Sequence, residues 1–82
     1  MRIKSYAARA KLKASGVSAG FPDLLVITPK GLVFIEMKRS NGRPSDVSDE
    51  QEAWLRDLQC AGFEATVCYG GKQAIEFLKG FE

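Results

Sequence analysis

The sequence predicts a small α/β domain, a mixed sheet of about three strands flanked by helices in the order α-β-β-α-β-α. Its strands form an antiparallel hairpin joined by one parallel strand. Two observations carry this prediction. The apolar runs "DLLVIT" (23–28) and "LVFIEMK" (32–38) are separated only by the turn "PKG", which reads as a hairpin. A capped helical stretch then separates that hairpin from a third β-like run, "FEATVCY" (63–69). Strand, helix and strand in succession make the right-handed crossover of a parallel pair.

Taken in order, "SYAARAKLKASG" (5–16) reads as a short helix with Gly16 past its end, more basic than amphipathic. "VSAGFP" (17–22) is a loop, and the hairpin follows. "RSNGRPSDV" (39–47) is a polar loop rich in turn formers. Ser48 opens the next helix in the capping-box pattern "SDEQ", and that helix runs to about Ala61 and stops at Gly62. Its apolar positions Trp54, Leu55, Leu58 and Ala61 follow helical spacing, and the stripe extends back to Gln51. Trp54 reads as a core anchor against the sheet. "KQAIEFLKGF" (72–81) closes the chain as a helix.

The 82 residues form one domain, with residues 1–16 as a basic helical N-terminal segment. A chain of this size buries only roughly 60–65% of its unfolded surface, so a partner subunit would help it. A hydrophobic content of 45% and a charged content of 27% exclude a disordered chain. No apolar run approaches the roughly 20 residues of a membrane span, and no signal-peptide pattern opens the chain. The expected compartment is the cytoplasm, or the host cell's interior for a viral gene. Cys60 and Cys68 are not spaced for zinc and no histidine is present; both thiols read as buried free cysteines. Without histidine, catalysis must run on carboxylates, lysine or a metal that they hold.

Charge is distributed unevenly. Residues 1–43 carry nine Lys/Arg against Asp23 and Glu36 alone, whereas residues 44–82 carry three Lys/Arg against eight acids. A basic half suggests a polyanionic partner. Arg9, Lys11 and Lys13, with Arg39 and Arg43 in the loop after the second strand, are the candidate phosphate contacts. No run of aromatic residues accompanies them, so base stacking is not indicated.

The two acids in that basic half are the exceptions to explain. Side chains two apart on a strand share a face, so Glu36 and Lys38 point the same way as Leu32 and Phe34. A lone E-x-K reads as a surface ion pair. Here the turn centred on Lys30 sets Asp23 opposite Met37, beside both charged groups, to within one or two residues of register. Two carboxylates so close repel unless a proton or cation lies between them, and hard oxygen donors favour Mg²⁺ or Mn²⁺. Such an ion supplies charge to a phosphate transition state and acidifies water, while an ammonium beside it orients the attacking water. Gln51, at the start of the facing helix, is within reach of that water, although its position in the capping box is also a structural post.

"FPD" (21–23), "IEMK" (35–38) and "SDEQ" (48–51) together resemble the P-D…(D/E)-x-K signature of the restriction-endonuclease-like phosphodiesterases. The match is most similar to the VRR-NUC family, the virus-type replication-repair nucleases, and to its phage-type branch across about residues 9 to 78. The resemblance implies a small restriction-endonuclease-like core and a Mg²⁺- or Mn²⁺-dependent endodeoxyribonuclease. It implies metal binding by the carboxylates of Asp23 and Glu36 and the backbone carbonyl of Met37. Lys38 would assist the attacking water and Gln51 would complete the site. Branched, flapped or Holliday-junction DNA is the expected substrate and a homodimer the expected assembly. The family usually adds a glutamate from an N-terminal helix, but no acid precedes Asp23 in this sequence. That departure implies a truncated chain, a naturally minimal one or a weaker metal site, and leaves a catalytically weak or silent DNA-binding module as the alternative.

Overall fold

The computed structural model describes residues 19–82. The helix expected at 5–16, with Arg9, Lys11 and Lys13, lies outside the described residues. Within them the order is strand β1 (Leu24–Thr28), strand β2 (Gly31–Lys38), a 3₁₀ turn (Pro44–Asp46), helix α1 (Asp49–Cys60), strand β3 (Glu64–Tyr69) and helix α2 (Gly71–Lys79). β2 is central in the sheet, antiparallel to β1 and parallel to β3.

The hairpin closes one residue tighter than the sequence suggests. Leu24 pairs with Ile35 and Thr28 with Gly31, so only Pro29 and Lys30 form the loop. Gly31 takes a positive φ of 117°, a conformation that glycine adopts without steric cost, and this lets it join the ladder rather than the turn. Thr28 Oγ1 donates to the Gly31 carbonyl (2.7 Å) and accepts from the Lys30 N–H (3.0 Å), which fixes the turn. Asp23 therefore lies level with Glu36 and not with Met37, a one-residue correction to the register.

Strand alternation sends the two faces of the sheet to different helices. Val26, Val33, Ile35 and Cys68 pack under Ala74 and Leu78 of α2, with Leu24, Met37, Phe77 and Phe81 around them. Phe34 and Ala65 pack under Leu55 of α1, joined by Phe21, Leu25, Leu58 and Val67. Each fully buried side chain of this kind contributes about 1.5–3 kcal/mol. Glu36 shares the α1 face, as the i, i+2 rule requires.

α1 is bounded as its sequence specifies. Ser48 Oγ accepts from the Gln51 N–H (3.1 Å) and Gln51 Oε1 accepts from the Ser48 N–H (2.9 Å), the reciprocal capping box. At the other end Phe63 N–H donates to the Leu58 carbonyl and Gly62 N–H to that of Gln59, while Gly62 takes a φ of 95°; together these make a Schellman stop. Trp54 is half-buried, edge-on to Phe21 with ring centres 5.0 Å apart. Cys68 is buried but Cys60 is exposed, because Cys60 falls off the α1 stripe that faces the sheet. Ala61, the last position of that stripe, is also exposed, since the helix has ended beyond the sheet.

Candidate active site

The end of β2 departs from its apolar pattern where β1 has not yet begun. Glu36 is only 3% exposed, set between β3 on one side and the Phe21–Asp23 approach to β1 on the other. An ionised carboxylate in such surroundings needs donors. Glu36 Oε2 accepts from the Gln51 amide Nε2–H at 2.9 Å and forms an ion pair with the Lys38 ammonium 3.6 Å away. Oε1 is buried and has no hydrogen-bond partner. Burial raises the Glu36 pKa above the usual carboxylate value, and repulsion from Asp23 raises it further, while Lys38 opposes both.

Asp23 enters from the strand start. Its Oδ2 accepts from the Met37 N–H at 3.1 Å, where β1 has ended and no strand partner takes that donor. A strand residue turns its N–H and C=O to the same side, so the Met37 carbonyl faces the Asp23 side as well. Two ionised carboxylates offer each other no donor, so a shared proton or a cation between them would relieve their repulsion. The donors at hand are hard oxygens, two carboxylates and one carbonyl, a set that suits Mg²⁺ or Mn²⁺. Among the described residues no group of three or more Asp, Glu, Cys or His side chains gathers, so the carboxylate pair would stand without a third acid.

Gln51 joins two functions that the sequence leaves as rivals. Its Oε1 is held by the Ser48 N–H, which leaves the NH₂ end of the same amide to meet Glu36. The helix cap thereby orients the amide. Asp23, Glu36, Met37, Lys38 and Gln51 are thus brought together. Arg39 and Arg43 are exposed on the loop that leaves β2.

Gly20 opens the G-x-P-D stretch of the family pattern, but the sequence assigns it no contact. A methyl group there would fall 2.6 Å from the Glu50 carbonyl carbon and 2.8 Å from the Gln51 nitrogen, and its φ is +87°. The backbone leading to Asp23 therefore runs directly against the first turn of α1, locking the Asp23 and Gln51 segments together. The glycine is visible in the sequence, but nothing there shows which element it touches.

The sequence profile of the VRR-NUC domain matches residues 1–72. A solved structure described as a VRR_NUC domain protein superposes with a TM-score of 0.70 at 25% sequence identity, over 80% of this chain and 55% of its own. The chain thus spans about half the length of that structural relative. No curated protein matches the sequence.

Proposed function

The chain belongs to the VRR-NUC family, a nuclease family, and on that premise we propose that it is a Mg²⁺- or Mn²⁺-dependent endonuclease hydrolysing DNA phosphodiesters. The observation that carries this reading is Glu36: a buried carboxylate beside a second one, with one oxygen lacking any partner. Burying a carboxylate with one oxygen unsatisfied is costly, and a cation shared with Asp23 and the Met37 carbonyl would offset that cost. When bound, the ion supplies positive charge against the phosphate oxygens and acidifies water. Lys38, half-buried on the same face, would present its ammonium to the attacking water or to the phosphorane charge. Gln51 would hold Glu36 in place and leave its own position fixed by the helix cap.

Branched substrates and a homodimer complete the proposal. The sheet has free outer edges on β1 and β3 among the described residues. Ile27, Leu32 and Phe63 are 51%, 39% and 41% exposed. Open edges and apolar surface favour a symmetric partner, and two sites in a dimer would suit paired cuts at a four-way junction. Among the described residues no helix is long and apolar enough to cross a membrane.

A catalytically silent DNA-binding module is the second reading, favoured by the absence of a third acid near Asp23 and Glu36. Supercoiled plasmid with Mn²⁺ separates the two. Nicked circles that vanish with chelator or in Glu36→Ala support the nuclease. Plasmid that is bound and retarded but never cut supports the silent module.

A further inference from the structure

We propose that Tyr69 is a positioning residue, whose ring braces Gly42 and so fixes the loop carrying Arg39 and Arg43 beside Lys38, as a preformed contact for DNA backbone phosphate. The proposal rests on the nucleic-acid reading above and adds a residue to it.

Parallel pairing sets Tyr69 against Lys38. Alternation along β3 places its side chain on the face of Ala65 and Val67, which is also the face of Glu36 and Lys38. Yet Tyr69 and Gly42 belong to neither apolar core, so filling the interior does not explain their contact. Gly42 leaves only tight room for a side chain. A methyl there would fall 3.0 Å from the Arg39 carbonyl, 3.1 Å from Asp46 Oδ2 and 3.2 Å from the Tyr69 ring. One position past the end of β3, a methyl on Gly70 would fall 2.9 Å from Ser40 Cβ, and Gly70 N–H donates to the Lys38 carbonyl at 2.9 Å. The loop is therefore pressed onto the end of β3 at two points.

Its own bonds make it stiff between those points. Gly42 N–H donates to the Arg39 carbonyl (2.8 Å) and Asp46 N–H to the Arg43 carbonyl (2.8 Å). Arg43 N–H donates to Asp46 Oδ2 (2.9 Å). On the β3 side, Tyr69 N–H is held by Gln73 Oε1 at 2.8 Å. Both arginines thus start from backbone positions that are set before DNA arrives. Ordering costs are lower for preorganised contacts, and guanidiniums carried on a set backbone suit phosphate oxygens.

Fluorescence anisotropy with a labelled duplex, without divalent ions, tests the brace independently of cleavage. Gly42→Ala and Tyr69→Leu should weaken binding about 3–10-fold, and should raise KM with kcat unchanged where cleavage is measured. Tyr69→Phe keeps the ring and should bind like the parent. So should Gly71→Ala, whose methyl meets nothing within 4 Å. In an Arg39→Ala/Arg43→Ala background, Gly42→Ala should add no further loss. Parent-like binding by Gly42→Ala would overturn the proposal, even if Tyr69→Leu failed to fold. A Phe variant as weak as Leu would also overturn it, because the hydroxyl and not the ring would then matter. Failure of the parent itself to bind DNA would instead remove the nucleic-acid reading, and this proposal with it.

Discussion

Glu36 is held on one oxygen by Gln51 and Lys38, lies beside Asp23, and has no hydrogen-bond partner on its other oxygen. Because its folded pKa is raised above the ordinary 4.5, between those two values the folded protein keeps a proton that the unfolded chain has lost. The stability from that proton is fully present below the unfolded pKa and is lost as pH rises through the folded one. Metal-free protein should therefore melt at lower temperature as pH is raised through that window. Glu36→Gln should remove this part of the dependence and raise neutral-pH stability by about 1 kcal/mol, or roughly 4–8 °C; melting curves across pH check both. Asp23 differs, because its carboxylate accepts from the Met37 N–H. Asp23→Ala leaves that donor unpaired and should cost about 1 kcal/mol, while Asp23→Asn should keep the fold and weaken any stabilisation by Mn²⁺. The E-x-K alternation and the nearby Asp23 were legible in the sequence. The burial of Glu36 was not, since it depends on β3, Gln51 and the Phe21–Asp23 approach closing around it.

At the scale of elements, the first turn of α1 does two jobs, capping itself and steering Gln51 toward Glu36. Gln51→Glu should preserve the cap, because a carboxylate also accepts from the Ser48 N–H. It should nevertheless destabilise metal-free protein at neutral pH, because it places a third carboxylate against Glu36. Thermal melts of the two proteins with and without Mn²⁺ would show the difference; equal stability without metal would mean that the amide contact is incidental. Both boundaries of α1 were readable, because Ser48, Gln51 and Gly62 act locally. The hairpin register was legible only to within one or two residues, because Gly31 fits either as turn or as ladder residue. The α1–Gly20 contact was beyond sequence reading, since it joins segments thirty residues apart that only the folded topology brings together.

For the whole molecule, a basic first half and an acidic second half make long-range electrostatics a test of DNA recognition. Affinity should fall with added salt, and Arg39→Ala/Arg43→Ala should reduce the slope of log K against log salt by about 2, near one per lost phosphate contact. An unchanged slope would make those arginines a solvated surface. The exposed Ile27, Leu32 and Phe63 predict association, and light scattering at micromolar concentration should return twice the 9.0 kDa chain mass; a single-chain mass would remove the dimer and coordinated cutting. Fold class and the element order from β1 to α2 were legible because pattern, caps and turns agree, whereas the thin α1-side core was not, since it depends on how far α1 reaches across the sheet. The most direct measurement is Mn²⁺ titration followed by thermal melting, of the parent and of Glu36→Gln. If Asp23 and Glu36 share a divalent cation, Mn²⁺ raises the parent's melting temperature in proportion to the logarithm of its excess over Kd and leaves Glu36→Gln nearly unmoved. A parent indifferent to Mn²⁺, or a Glu36→Gln protein that responds equally, would contradict the cation site.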